Sequence, residues 1–401
     1  MRRKLIILSP YPITNIVSFR FGFDLLKKKI NIQIHDLSDL LISKKFQDKW
    51  KSRRKKNVIK FKSFLSWFFF ILKEPSSTII FNLSSAYTFR INCFFIKLTL
   101  SIKSFTVIIL SYLDFVEVKL KKNLKYFISK IFIQHKYDFI FYLNSFKKIL
   151  ITYLNNFITY KKEIILTNKK LEASNLKKNK FFCNIHSYDY SIFLRSKYKK
   201  KKKKFFVFLD TGFPFFSGDQ LLLNSIEYKI DENKLKKIHD DLNFFFTLLE
   251  KKFKRKVLIV PHPKLRGSSY YNKNFYVKFE KFNKFNTNDA VREAYCVLIN
   301  TPTTSLSFAV FNYKPIVYLT SKNLASIVSN NLSYLVEVKK TLSLFDIKKF
   351  YLDKKENFNK IILRVNRKKY DKYKFQYLQN PKVISNKKNS DIIYKFIKNN
   401  T

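Results

Sequence analysis

Glycine is scarce in this sequence, with four in 401 residues, and proline adds only nine. Glycine-rich phosphate cradles are therefore missing. There is no GxGxxG and no GxxxxGK[ST], which excludes the dinucleotide fingerprint and the P-loop. GxSxG is absent too, and with it the hydrolase nucleophile elbow. No DxD pair is present to hold a metal-bound nucleotide diphosphate. The three cysteines, Cys93, Cys183 and Cys296, stand far apart without a CxxC, so neither a zinc knuckle nor a disulfide framework is supported. That usage fits a reducing compartment. Long apolar runs are lacking as well. "MRRKLIILSPYP" has four apolar residues before Ser9-Pro10, too few for a signal-peptide core. The richest run, "FLSWFFFIL" at Phe64–Leu72, falls short of the ~18 residues a membrane span needs.

Acidic residues are also few: 28 against 80 Lys and Arg, for a formal net charge of +52. Such a charge points to nucleic acid or an anionic membrane surface. The bases are mostly lysine and are spread along the chain, beside abundant Asn, Ile, Phe and Tyr. An AT-rich coding sequence produces that pattern without a selected nucleic-acid site, so the lipid surface is the better partner. Lysines near such a surface contribute about 1 kcal/mol each. "FLSWFFFIL" is read as a buried helix, with an interfacial helix as the alternative. An apolar fraction of 46% is enough for a real core, and the length suits two domains.

Periodicity organises the chain. "KLIILS", "INIQIHDLS", "STIIFNLSS", "FTVIILSYL", "YDFIFYLNS" and "KEIILTN" read as strands of a first α/β domain, with a helix at "SFRFGFDLLKKK". The basic run "KYKKKKKK", Lys197–Lys204, is a solvated linker. Beyond it a β-α-β-α-β series is clearer: strands at "FFVFLD", "VLIV", "NFYVKF", "CVLIN" and "KPIVYLT", with an amphipathic helix at "DENKLKKIHDDLNFFFTLLEKKFKRK". Shorter helices are expected at "TNDAVREAY" and "SLSFAVFN". The expected division is a first domain at 1–196, a linker at 197–204, a Rossmann-like domain at 205–330 and a helical or irregular extension at 331–401.

Ligands of open parallel sheets bind at the carboxyl ends of the strands. Three such ends carry polar residues: Asp210-Thr211-Gly212, His262 between Pro261 and Pro263, and Thr303-Thr304-Ser305 at a helix start. Asp210 is either a general base or a turn residue bonding its own loop. Gly212 and Gly218 let that loop bend, and Asp219 is a second carboxylate candidate. His262 either meets a phosphate or bonds a backbone carbonyl, and Lys264 and Arg266 keep its loop electropositive. The hydroxyls of Thr303, Thr304 and Ser305 either join helix amides in binding an anion or cap the helix. In the first half, His35 and His186 end strands and are placed to line a facing cleft. His239 is expected in solvent, and His135 has no evident company.

"FVFLDTGFP" resembles the aspartic-protease signature, but that family needs two such aspartates and an all-β fold. The ordered set Asp210-Thr211-Gly212, His262-Pro263 and Thr304-Ser305, continued by "SLSFAVFNYKPIVYL", resembles bacterial sialyltransferases and related surface-carbohydrate glycosyltransferases. Those carry an acidic-acidic-Gly motif, a His-Pro motif and a Ser/Thr pair. The likeness covers Phe205–Thr320 and extends to the first half only by architecture. "CNIHSYDY" is similar to the approach to their second domain. One departure is Thr211 at the second acidic position, which leaves catalysis to Asp210 alone. The resemblance implies two facing Rossmann-like domains of the GT-B type. It also implies inverting, metal-independent transfer of a sugar, such as a CMP-activated nonulosonic acid, to a cell-surface glycan or lipid-linked acceptor. His262, Pro263, Lys264, Gly212, Thr303, Thr304 and Ser305 would bind the donor, with no other cofactor. The enzyme would sit at the cytoplasmic face of the inner membrane. The alternatives are a CDP-glycerol glycerophosphotransferase and a non-catalytic protein binding nucleic acid or membrane.

Overall fold

The computed structural model describes residues 3–11, 13, 15–42, 58–86, 91–111, 147, 150–151, 153–168, 179–196, 204–213, 231–262, 275–282, 286–329, 332–353, 363–384 and 386–400. The "YDFIFYLNS" segment, most of the basic run, His135, Gly218, Asp219, Pro263, Lys264 and Arg266 lie outside the described residues.

Each half of the chain builds one parallel sheet. The first holds β1 (Lys4–Ser9), β2 (Asn31–Asp36), β3 (Val58–Lys60), β4 (Ile79–Asn82), β5 (Thr106–Ser111), β6 (Lys162–Thr167) and β7 (Lys180–Asn184), in the order β3-β2-β1-β4-β5-β6-β7. The second holds β8 (Phe205–Asp210), β9 (Val257–Pro261), β10 (Glu280–Lys281), β11 (Ala294–Ile299), β12 (Ile316–Thr320) and β13 (Lys349–Tyr351), in the order β10-β9-β8-β11-β12-β13. Two Rossmann-like α/β domains are thus present. The strands are apolar almost throughout because helices cover both faces. Alternation separates the faces of the first sheet. Ile6, Leu8, Ile80 and Val107 enter one core, whereas Leu5, Ile7, Ile79, Phe81 and Ile108 enter another.

The long helix Glu232–Phe253 shows how sequence chemistry sets an element. Asp231 caps its start, its Oδ1 accepting from the Asn233 N–H at 3.0 Å. Leu235, Ile238, Leu242, Phe245 and Leu249 are buried along one side. Such side chains contribute about 1.5–3 kcal/mol each. Lys251 and Lys252 suit the carboxyl end, and Lys254 closes it in the left-handed region at φ 52°. "NFYVKF", by contrast, is a turn at 275–279 that leads into the two-residue β10.

The segment after residue 330 is divided between the two bodies. β13 completes the second sheet, and Tyr370 and Tyr373, in the helix Arg367–Tyr373, are buried in the second core. The last helix, Asn389–Asn400, crosses back: its Ile393 and Ile397 are buried in the first domain. The first domain accommodates it at Gly22, which has φ 71° and ends the helix Asn15–Phe21. A Cβ at that position would stand 3.3 Å from Cβ of Ser390.

The helix Tyr188–Arg195 joins the domains. Tyr188 is buried in the first core, and Tyr190 and Ile192 in the second. Arg195 donates to the Phe19 carbonyl and pairs with Asp24 in the first domain. Asp189 accepts from Ser307 Oγ of the second domain at 2.7 Å and faces Arg20 of the first at 4.0 Å. Burial raises the Asp189 carboxyl above its usual value, with Arg20 opposing the shift.

Candidate functional site

β9, β8 and β11 are adjacent, so the three polar loops open side by side at one sheet edge. From β8 the chain moves one way to β9, while β11 lies on its other side. Order reversal at β8 marks the topological switch point, where crevices form in open α/β sheets.

Asp210 ends β8 and is buried. Its Oδ1 accepts from the Gly212 N–H at 2.8 Å, in a turn made possible by Gly212 at φ 74°. The turn role left open by the sequence is therefore real. Burial pushes the Lys281 ammonium of β10 below its usual value, and the neighbouring Asp210 carboxylate offsets part of that shift. His262 follows β9 directly, its N–H donating to the Asp210 carbonyl at 2.6 Å. The residue is half-buried.

The third loop separates capping from free hydroxyls. Ser305 holds the N-cap position of the helix Leu306–Phe311, yet its side chain makes no capping bond. Thr303 Oγ1 accepts the Ser305 N–H at 3.3 Å instead. Among the described residues, no partner takes the Thr304 or Ser305 hydroxyl or the Thr303 or Thr304 amide. Thr304 is exposed.

Two neighbouring groups belong with these loops. Asn300, the residue after β11, is buried and donates to the Phe213 carbonyl at 3.3 Å, but its Oδ1 has no partner among the described residues. The buried hydroxyl of Thr211 is likewise unpartnered. Phe213 stacks on Tyr334 at 5.0 Å, and Tyr334 Oη donates to the Asn300 carbonyl at 3.3 Å, fixing this wall. Sequence reading passes over Asn300; its signal is a polar residue ending an otherwise apolar strand. Lys281 had no such signal, because only the fold brings β10 near β8.

Neither His35 nor His186 lines a cleft. His35 is fully buried, with Phe61 and Phe70 ring centroids at 5.0 and 5.2 Å. Burial, aided by the nearby Lys4 charge, pushes its pKa down to about 3. His186 is a tie point: its Nδ1 accepts from the Asn380 N–H at 3.1 Å, and its Nε2 lies 3.2 Å from the Ile384 carbonyl. His239 is buried against Phe275, with centroids 3.9 Å apart, not solvated. Its helix turns that side toward the 275–279 turn, a contact between distant segments. A separate cavity of about 230 Å³ lies in the first domain. Its polar groups satisfy one another, Asn82 with Tyr160, Lys97 with the Asn155 carbonyl and Glu163 with Lys180.

No protein-family model matches the sequence, and no curated protein matches it. Among solved structures, the chain is similar to the UDP-GlcNAc 2-epimerase of Methanocaldococcus jannaschii, at 12% identity and a TM-score of 0.45, over 100% of both chains. It is also similar to MurG of Acinetobacter baumannii, at 7% and 0.42 over 99% of each. The calicheamicin glycosyltransferase CalG4 is similar at 9% and 0.42, over 93% of this chain and 92% of that one. Likenesses this shallow carry no information about ligand or reaction.

Proposed function

We propose that the chain is an inverting, metal-independent glycosyltransferase that takes a nucleotide-activated sugar at the β9-β8-β11 edge. The supporting observation is the convergence at a switch point of His262, the unpartnered Thr304 and Ser305 hydroxyls and free loop amides, donor groups suited to a phosphate. In this reading Asp210 takes the proton of an acceptor hydroxyl. The acceptor oxygen attacks the anomeric carbon, and that carbon's bond to the donor phosphate breaks. The departing nucleotide's charge is met by His262 and the Thr303–Ser305 loop. Gly212 aims the Asp210 carboxylate, and Pro263 and Lys264, next in sequence to His262, are proposed to add to donor binding. The proposed donor is a CMP-linked nonulosonic acid. The acceptor is a surface polysaccharide or lipid-linked oligosaccharide, met at the cytoplasmic face of the inner membrane.

Calorimetric titration with CMP, CDP, UDP and GDP tests the site. One nucleotide should bind, and Thr304→Ala/Ser305→Ala should weaken it by about tenfold or more, the effect of losing bonds to a charged group. If no nucleotide binds, or the double variant binds equally, the reading is wrong. Turnover of a CMP-sugar, unchanged by a chelator, separates it from glycerophosphate transfer out of CDP-glycerol.

A further inference from the structure

Three helical stretches lie side by side over one face of the first sheet: Phe64–Leu72, Ile91–Ile102 and residues 153–157. Phe64 and Phe95 rings meet at 5.5 Å. Lys103 Nζ donates to the Leu72 carbonyl at 2.8 Å, and Ser101 Oγ to the Thr159 carbonyl at 2.6 Å. Their inner sides are spent on the core through Trp67, Ile71, Ile96 and Leu100. Their outer sides are apolar too. Leu65 is 63% exposed, Phe69 61%, Ile102 70% and Phe157 67%, and Phe95 and Tyr153 are exposed as well. Single exposed apolar residues need no explanation, but a group of them shared by three neighbouring helices does.

We infer that this face is a docking surface for an anionic lipid bilayer. No acidic side chain occurs among the described residues of the three stretches. Exposed Lys62 and Lys73 flank the first stretch, and exposed Lys147 precedes the third. An apolar centre with a lysine rim matches a headgroup layer, burying the rings while the ammoniums meet lipid phosphates. A second copy of this chain fits poorly, because pairing would bring two lysine rims together on molecules of net charge +52. Insertion stays shallow, since no helix among the described residues is long and apolar enough to cross a membrane. The inference goes beyond glycosyl transfer and does not depend on it.

Co-sedimentation of the full chain with vesicles, without donor or acceptor, is the test. Wild type should bind phosphatidylcholine vesicles carrying phosphatidylglycerol, and a fraction should resist high salt, because apolar insertion is not screened. Leu65→Ser/Phe69→Ser/Phe157→Ser changes only exposed positions and should keep the wild-type melting temperature. That variant should lose the salt-resistant fraction, with partitioning down by about tenfold or more. Lys234→Gln/Lys236→Gln/Lys237→Gln, on the second domain, should retain it. Complete release of wild type by salt, or unchanged binding of the serine variant, would overturn the inference. So would a wild-type dimer in gel filtration that the serine variant breaks up.

Discussion

Asp210 has two jobs in the proposed reaction, and one pair of substitutions separates them. Asp210→Asn keeps an Oδ1 to accept from Gly212 but removes the base. Asp210→Ala removes both. Asn should therefore retain wild-type stability and nucleotide binding while turnover falls by about 10² to 10⁴, the usual span for a lost general base. Ala should also lose stability by about 1–3 kcal/mol, from an unmet buried N–H. Turnover surviving in the Asn variant leaves Asp210 as a turn residue only. The sequence exposes the chemistry of Asp210, His262 and the Thr303–Ser305 loop because each follows a run of apolar residues. It hides the division of labour in that loop, where Thr303 caps and Ser305 stays free. That outcome depends on backbone geometry within one turn.

Among the elements, the legible ones pair apolar periodicity with punctuation. β8, β9 and β12 end at Asp210, Pro261 and Thr320, β11 is followed by Asn300, and the Glu232–Phe253 helix opens on Asp231. The last helix is illegible as part of the first domain, because nothing local to Asn389–Asn400 states what its apolar side meets. Gly22, more than 360 residues away, supplies the clearance. Since Ile393 and Ile397 are almost fully buried, Ile393→Ala and Ile397→Ala should each destabilise the fold by about 2–5 kcal/mol in urea denaturation. A loss within about 0.5 kcal/mol, as for a surface change, would mean the helix does not belong to that core.

For the whole molecule, buried histidines set a pH limit. Burial lowers the pKa of His35 and of His239 to about 3 and also lowers that of His186. An unfolded histidine titrates near 6.5, so as pH falls below about 6.5 the unfolded chain takes up protons that the native chain refuses. Stability is fully present above that value and is lost as pH drops toward about 3, by up to about 1.4 kcal/mol per pH unit for each ring. Melting temperatures should fall steadily between about pH 7 and pH 5, and His35→Phe/His239→Phe should flatten the slope. An equal slope in the double variant would assign the loss to other groups. Composition points to charge as the governing property; packing adds an acid-side loss from uncharged rings.

Among the described residues the chain passes between its two bodies twice, once through Tyr188–Arg195 and once between Leu378 and Asn389. The passages are fastened to each other. Ser187 donates to the Leu378 carbonyl at 2.9 Å, and Asn389 both receives the His186 N–H at 3.0 Å and donates to its carbonyl at 2.8 Å. A single connection is a tether and leaves every rotation open. Two connections fastened to each other act as one short, stiff joint, and the buried imidazole of His186 sits inside it, bonded to the Asn380 N–H of the returning passage.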